Sequence, residues 1–313
     1  MTNLGACVFA AALAVAAAHN LAVVVVATRF RRPARRLETR SRRHARDHES
    51  TTAAPGVSIL VPLNGAEPTL FANLAAYCQL RHEGPVQLVA GSLTADDPAI
   101  ATARRVASRY STVDLQIVAG AASLGPNRKA SLLVALAAHA RHAVIVAADS
   151  DVRVGPDYLW ALLPALTRRG VGLVSCVYRA PRPTTLAHVF EALCIETDFC
   201  PSVILASALG RRDIALGATI AIRRQTLDRV GGFAALVEHL ADDHRLGELV
   251  QAIGERAVLA SYVVESDPRI TRRSRAPSVI RCGGRERSAL ARRGGISQVF
   301  SPMARHSRSA VSS

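Results

Sequence analysis

From Gly56 onward, the chain alternates short apolar runs with longer amphipathic segments. Short runs bounded by turn residues predict buried strands, and apolar residues spaced three to four apart predict helices. This alternation predicts an α/β domain with a mostly parallel sheet and helices on both faces. The predicted strands are Val57–Leu63, Val86–Gly91, Val113–Val118, Ala143–Ala148 and Val171–Tyr178, and the predicted helices are Pro68–Leu80, Ala99–Tyr110, Arg128–His139, Tyr158–Thr167, Gln225–Val230 and Arg245–Ile253.

The N-terminal segment Leu4–Thr28 is almost wholly apolar, and it predicts a transmembrane helix. About 23 residues at a rise of 1.5 Å span roughly 35 Å, enough for the ~30 Å hydrocarbon core of a bilayer. The arginine-rich run that follows favours a single-pass anchor in the inner membrane with the rest of the chain cytoplasmic. A cleaved signal peptide is the alternative, but it needs basic residues before the apolar run.

The net charge of +15 is confined to two flanks. Residues 28–49 carry nine arginines against three acidic residues, and residues 266–313 carry eleven against two. Residues 50–265 are neutral, with 19 basic and 19 acidic residues. Nucleic-acid binding is therefore not expected, because such domains carry their basic surface on the folded body. The six cysteines show no metal-ligand spacing and are interpreted as small buried hydrophobic residues.

The strand ending at Ala148 delivers Asp149-Ser150-Asp151 to its C-terminal end. Residues i and i+2 of a strand point the same way, so Asp149 and Asp151 offer oxygen ligands on one side. Such a pair suits Mg²⁺ or Mn²⁺ holding a nucleotide diphosphate. The alternative is a polar turn in which aspartate serves only as turn former and cap.

The body resembles the GT-A glycosyltransferases of the ceramide glucosyltransferase type (families 2 and 21), and within them the bacterial hopanoid-biosynthesis branch. The resemblance spans about residues 56 to 264, in family order. It is carried by the stretches VSILVPLNGAEPTLFANL, TADDPAIATARRV, GPNRKASLL, ADSDVRVGPDYL, GATIAIRRQTLDRVGGF and EHLADDHRLGELV.

The resemblance implies a role for each matching residue. Asp97 corresponds to the family aspartate near the nucleotide, and Asp149 with Asp151 to the metal–diphosphate motif. Asp243 corresponds to the general base on the acceptor hydroxyl, with Asp242 left as the helix cap. Lys129, the only lysine in the chain, is placed near the donor diphosphate. A solvated residue at a helix start is the other interpretation of Lys129, and a helix-terminal acid that of Asp243.

Three departures from the family pattern stand out. Val61 replaces a basic residue, and Leu132 replaces an asparagine. The Arg/Gln-x-x-Arg-Trp motif expected beyond Glu265 is absent, because the only tryptophan is Trp160. The Arg/Ser-rich tail at 266–313 lacks the apolar residues for a core, so we expect it to be disordered. A frameshift or divergent gene end explains the break, and a basic tail at the membrane surface is the alternative.

The resulting expectation is a membrane-anchored hexosyltransferase. Its segments are an anchor at 1–28, a basic linker at 29–55, a GT-A domain at 56–265 and the tail. It would move a sugar from a UDP-sugar to a lipid hydroxyl with inversion, as N-acetylglucosamine to bacteriohopanetetrol in the hopanoid branch. Transfer of glucose to ceramide is one alternative, and a remnant that binds UDP-sugar without turnover is another.

Overall fold

The computed structural model describes residues 7, 9–10, 13–14, 17–18, 20–30, 54–65, 67–181 and 183–266. The strands are β1 (Val57–Pro62), β2 (Val86–Ser92), β3 (Asp114–Ala119), β4 (Val144–Ala148), β5 (Val152–Arg153), β6 (Val171–Arg179), β7 (Thr219–Arg223) and β8 (Arg256–Ser266). The helices are α1 (Leu70–Tyr77), α2 (Pro98–Arg109), α3 (Arg128–Ala138), α4 (Tyr158–Leu166), α5 (Leu186–Cys194), α6 (Cys200–Ala208), α7 (Arg224–Arg229) and α8 (Asp242–Ala252). Every predicted strand and helix is present, with ends displaced by at most three residues.

The eight strands form one sheet in the order β3-β2-β1-β4-β7-β6-β8-β5. Strands β1 to β4 pair in parallel, as do β6 and β8. Strand β7 runs antiparallel to both β4 and β6, and β5 runs antiparallel to β8. The prediction of a mostly parallel sheet therefore holds for the first half and is wrong for the second, where the sheet is mixed. Because β4, β6 and β8 share one direction, their C-terminal ends lie at one edge.

The core lies on both faces of this sheet, as expected for strands with apolar residues at successive positions. Along β4, Val144 and Val146 face one cluster that includes α1, α2 and α4 residues. Ile145 and Ala147 face the other cluster, which includes α3 and α8 residues. The helices are thus fixed by packing on the two faces of the sheet.

Helix α8 approaches the loop before β7 closely, and Gly247 makes this possible. A Cβ at Gly247 would lie 2.0 Å from the backbone oxygen of Asp213. Asp213 is itself buried, and the adjacent Arg212 carbonyl accepts a hydrogen bond from the N–H of Ala257 in β8 at 2.7 Å, so this loop cannot shift freely.

Replacing Gly247 with alanine is therefore expected to destabilise the fold. At a solvent-exposed position within a helix, replacing glycine with alanine stabilises the folded protein by about 1 kcal/mol. Here the clash should reverse that sign and cost about 2 kcal/mol, lowering the melting temperature by about 5 °C. Thermal unfolding measures the effect, with the exposed Gln251→Ala on the same helix as control. Equal or higher stability of Gly247→Ala would show that the contact is not tight.

The described N-terminal residues at 20–30 are helical, as are those described between 7 and 18. Within the described residues, none of the helices has the length and hydropathy needed to cross a membrane. The predicted anchor Leu4–Thr28 includes residues outside that set, so it stays a prediction. Residues 31–53 of the predicted basic linker at 29–55, and the tail from 267 onward, also lie outside the described residues.

The cysteines are less uniformly buried than predicted. Cys176 is fully buried, and burial raises the pKa of its thiol beyond the usual range. Cys78 and Cys200 are half-buried, and burial raises the pKa of Cys78 to about 11. Cys7 and Cys194 are exposed, so the prediction of buried thiols is wrong for these two. Both belong to helices with apolar outward faces.

Candidate active site

The carboxyl edge of the sheet gathers the chemistry-bearing residues. Asp97 follows β2, Asp149 follows β4, and the loop that enters β7 carries Gly217. Helices α3 and α8 begin beside this loop, which brings Lys129 and Asp243 to the same place. Ligands of open α/β sheets bind at this edge, so this edge is the candidate site.

Lys129 lies in the first turn of α3 and pairs directly with Asp149. Its Nζ is 2.6 Å from Asp149 Oδ1, with both side chains about one third exposed, at 32% and 35%. Burial alone would lower the pKa of Lys129, but the carboxylates of Asp149, Asp242 and Asp243 outweigh it and raise the pKa above its usual range. Lys129 is therefore a permanent cation held against the carboxylate of Asp149.

Asn127 fixes the start of α3. Its side-chain oxygen accepts a hydrogen bond from the N–H of Ala130 at 2.9 Å, as an N-cap does. Its amide nitrogen donates to the carbonyl of His239 at 2.7 Å, in the loop that leads to α8. Asn127 thus positions Lys129 relative to Asp243. The sequence signal is an asparagine before a helix start, and the role in joining two loops was not predicted.

The peptide unit of Gly217 links Lys129 to Asp243. Lys129 Nζ donates to the carbonyl of Gly217 at 3.1 Å. The N–H of Gly217 donates to Asp243 Oδ2 at 2.8 Å. The result is one continuous chain of polar contacts, from Asp149 through Lys129 and Gly217 to Asp243.

Asp243 lies in the first turn of α8 with a carboxylate held by backbone donors. Burial and the neighbouring Asp242 raise the pKa of Asp243, and the N–H groups of His244 and Gly217 lower it less. The pKa remains above that of an ordinary aspartate, which suits a general base. The helix cap is Ala241, without a side-chain hydrogen bond, so the prediction that Asp242 caps α8 is wrong.

Replacing Gly217 with alanine is expected to displace the Asp243 carboxylate. A Cβ there would lie 3.1 Å from Asp243 Oδ2. A displacement of a few tenths of an ångström should lower turnover by about tenfold, since misplacement by 1 Å costs about a hundredfold. Steady-state kinetics measures the loss. The variant that combines it with Asp243→Asn should lose no more than Asp243→Asn alone, and additive losses would contradict a shared mechanism.

Asp97 does not join this cluster. Its carboxylate accepts hydrogen bonds from the N–H groups of Gly65 and Ala99, each at 2.9 Å, and from Ser92 Oγ at 2.8 Å. It caps α2 and is 9% exposed. In this arrangement Asp97 fixes the loop after β1 against the end of β2. Its role near the nucleotide stays a prediction.

The Asp149-Ser150-Asp151 loop is held by contacts on both sides. Asn73 of α1 donates to the carbonyl of Ser150 at 2.9 Å, and Ser266 at the end of β8 donates to Asp151 Oδ2 at 3.2 Å. Asn73 is buried, and its role was not visible in the sequence.

The chemistry of this loop fits a divalent cation that is coordinated by oxygens of both the protein and the substrate. No group of three acidic, histidine or cysteine ligands exists within the described part of the chain. Mg²⁺ is commonly held by one or two carboxylates together with substrate phosphates. Asp149, partly exposed at the edge of the sheet, has the oxygen chemistry for this. Asp151 is the second candidate ligand.

Three tyrosines pack beneath the loop. Tyr158 makes edge contacts with Tyr77 and Tyr262, with ring centroids 6.3 Å and 5.8 Å away. The Tyr262 hydroxyl accepts from the N–H of Gly155 at 2.8 Å, and the Tyr158 hydroxyl bonds to Thr219 of β7. Sequence reasoning missed this cluster, because its members come from three distant elements.

Comparison with known proteins gives the cluster a context. The chain is 20% identical over 215 residues to Ceramide glucosyltransferase 1 of Caenorhabditis elegans, covering 68% of this chain and 46% of that protein. Ceramide glucosyltransferase 3 of the same organism is 21% identical over 230 residues, covering 67% and 46%. The chain thus spans about half the length of these curated relatives.

Solved structures support the fold. The mannosyltransferase PcManGT from Pyrobaculum calidifontis, in complex with GDP-Man and Mn²⁺, superposes with a TM-score of 0.56 at 21% identity. That match covers 84% of this chain and 69% of the other. The sequence model of the family "Glycosyl transferase family 21" matches residues 6–281, which is most of the chain. The chain therefore belongs to glycosyl transferase family 21.

Proposed function

We propose that this protein transfers a sugar from a UDP-sugar to the hydroxyl of a membrane lipid, with inversion at the sugar carbon. One observation carries the proposal: the chain of contacts from Asp149 through Lys129 and Gly217 to Asp243. In this chain of contacts, the Lys129 cation and the Asp149 carboxylate, a candidate metal ligand, lie near Asp243. Backbone N–H groups bond to the Asp243 carboxylate, and its pKa is raised. Sugar transfer needs both: charge neutralisation for the leaving diphosphate and a base for the acceptor.

On the donor side, Asp149 with Asp151 would hold Mg²⁺ or Mn²⁺ against the diphosphate. The bound cation supplies Lewis-acid neutralisation of the charge that develops on the departing diphosphate. Lys129 supplies a second positive charge there, and its pairing with Asp149 keeps it in place before the donor arrives. The neighbour crystallised with GDP-Man and Mn²⁺ supports a nucleotide-sugar donor and a divalent cation in this fold.

On the acceptor side, Asp243 would act as general base. Its carboxylate takes the proton of the lipid hydroxyl as that oxygen forms a bond to the anomeric carbon. The bond from this carbon to the diphosphate oxygen breaks, and UDP leaves with the electron pair. Attack from the face opposite the leaving group inverts the configuration.

Two lipid classes are candidates for the acceptor. The named relatives favour ceramide with UDP-glucose as donor. The family stretches in the sequence favour a polyhydroxylated hopanoid, bacteriohopanetetrol, with UDP-N-acetylglucosamine. The site is proposed to face the cytoplasm at the inner membrane, since the arginine-rich segment follows the apolar N-terminal segment.

An assay with both donors and both acceptors tests the proposal. Full-length protein in membranes is supplied with radiolabelled UDP-glucose or UDP-N-acetylglucosamine, each with ceramide or bacteriohopanetetrol. Labelled lipid in one combination would identify the substrates. Metal-dependent UDP binding without lipid product in any combination would favour the binding-only remnant and contradict the proposed transfer.

A further inference from the structure

Helix α5 has its polar and apolar faces exchanged relative to a soluble protein. The residues Leu186, Phe190 and Leu193 are 78%, 62% and 50% exposed. Glu191 is only 7% exposed, and His188 is half-buried. A helix on a water-facing surface buries its apolar stripe and exposes its charges. The reversed arrangement is favourable only where the surroundings are themselves apolar.

The outward face of α5 is apolar along its whole length. Its exposed residues are Leu186, Ala187, Val189, Phe190, Leu193 and Cys194. The spacing of three and four between the large ones forms a single stripe. Large exposed apolar stripes of this kind mark sites of interaction with protein or membrane.

This face lies at the active-site edge of the sheet. Helix α5 follows β6, whose C-terminal end shares an edge with that of β4 and therefore with Asp149. Val189 and Leu193 also line a cavity of about 590 Å³ with Arg179 and Glu265, at the ends of β6 and β8. The apolar face is thus placed where a lipid acceptor would have to enter.

The end of the N-terminal helix packs against α6, the helix that follows α5. Phe30, at its end, packs with Val203 and Ile204 of α6, which follows α5 through the π-helical turn Ile195–Phe199. Leu21 and Val24 of the N-terminal helix are 66% and 58% exposed. The arginine-rich segment begins at Arg29. Apolar side chains beside a dense basic segment are typical of binding to an anionic bilayer.

We propose that the exposed face of α5 (Leu186, Val189, Phe190 and Leu193) docks into an anionic lipid bilayer, as a second membrane contact besides the N-terminal segment. A helix of nine residues is about 14 Å long, so it lies in the interface and does not span it. This contact would hold the carboxyl edge of the sheet at the membrane surface, facing its lipid acceptor. The inference deepens the proposed function but is tested independently of sugar transfer.

A fluorescent probe on Cys194 of the full-length protein tests the contact. The fluorophore NBD is attached there after the other cysteines except the fully buried Cys176 are replaced by alanine. The protein is then bound to vesicles of phosphatidylcholine and phosphatidylglycerol that contain nitroxide-labelled lipid. We expect the fluorescence emission of the Cys194 probe to shift to shorter wavelength and to be quenched by the nitroxide-labelled lipid. A probe at Ser108→Cys on α2, at the other end of the sheet, should stay aqueous.

Substitution of the apolar stripe distinguishes docking from simple proximity. Phe190→Glu is expected to shift the docking equilibrium of α5 at least about tenfold toward water, while Ser108→Glu adds the same charge without effect. Phe190 is mostly exposed, so melting temperature and metal-dependent UDP binding should not change.

Two results would overturn the inference. One is a Cys194 probe that remains in water on vesicles to which the protein is bound. The other is formation of a Cys194–Cys194 disulfide dimer, which would assign the face to a second copy. Failure of the sugar-transfer assay with normal quenching would instead count against the proposed function alone.

Discussion

Replacing Asp243 with asparagine is expected to lower turnover by about a thousandfold, within the range typical of a general base, and to leave donor binding intact. The amide oxygen can still accept from the N–H of Gly217, which lies 2.8 Å from Asp243 Oδ2, while the N–H of His244 loses its carboxylate acceptor. What is lost is the ability to take the acceptor proton. UDP release in the presence of lipid acceptor measures turnover, and calorimetry measures UDP binding with metal.

Asp242→Asn is the matched control, because it removes the same charge one residue earlier. It should lower turnover far less than Asp243→Asn. The pH profile gives a second readout: activity should fall as pH drops through the raised pKa of Asp243, at a higher pH than for an ordinary aspartate. Loss of UDP binding in Asp243→Asn, or equal losses in both variants, would contradict the role of Asp243 as a base.

Replacing Asp149 with alanine is expected to remove the metal-dependent part of UDP binding, a loss of about a hundredfold in affinity. The substitution deletes the carboxylate best placed to hold a cation against the diphosphate. Lys129 would then lose its partner at 2.6 Å but could still attract phosphate. We therefore expect a weak residual affinity for UDP that no longer responds to Mn²⁺.

Asp157→Ala provides the control for Asp149→Ala. Asp157 is an acidic residue between β5 and α4 that lies 3.8 Å from Arg81, with 39% of its side chain exposed. Its removal should leave the Mn²⁺ dependence of UDP binding unchanged. If Mn²⁺ still strengthens UDP binding to Asp149→Ala, the metal ligands lie elsewhere.

Much of the fold was predictable, because each strand and helix of the first half has its own hydrophobic period. The direction of β7 was not, since an apolar run such as Thr219–Arg223 reads the same for parallel and antiparallel pairing. The outward face of α5 was equally hidden. An apolar segment looks the same whether the surroundings are a protein core or a lipid, and only packing distinguishes them.

The candidate site was likewise predictable only in part. The family resemblance assigns Lys129 to the donor diphosphate and Asp243 to the acceptor hydroxyl, and the structure places Asp149, Lys129 and Asp243 in one chain of contacts. Whether each acts on donor or acceptor stays a prediction. The bridging peptide of Gly217 and the support from Asn73 and Asn127 depend on distances between remote elements. Such distances leave no periodic trace in the sequence.

The central position of β7 has a consequence for the order in which the chain can be assembled. This strand is synthesised after β6 yet lies between β4 and β6, pairing Val144 with Arg223. Until it inserts, the two halves of the sheet have no common neighbour, and closing so long a loop is slow. Gly217 enters with β7 and Asp243 follows it. A nascent chain can therefore form the contacts from Asp149 through Lys129 and Gly217 to Asp243 only once β7 has joined the two halves of the sheet.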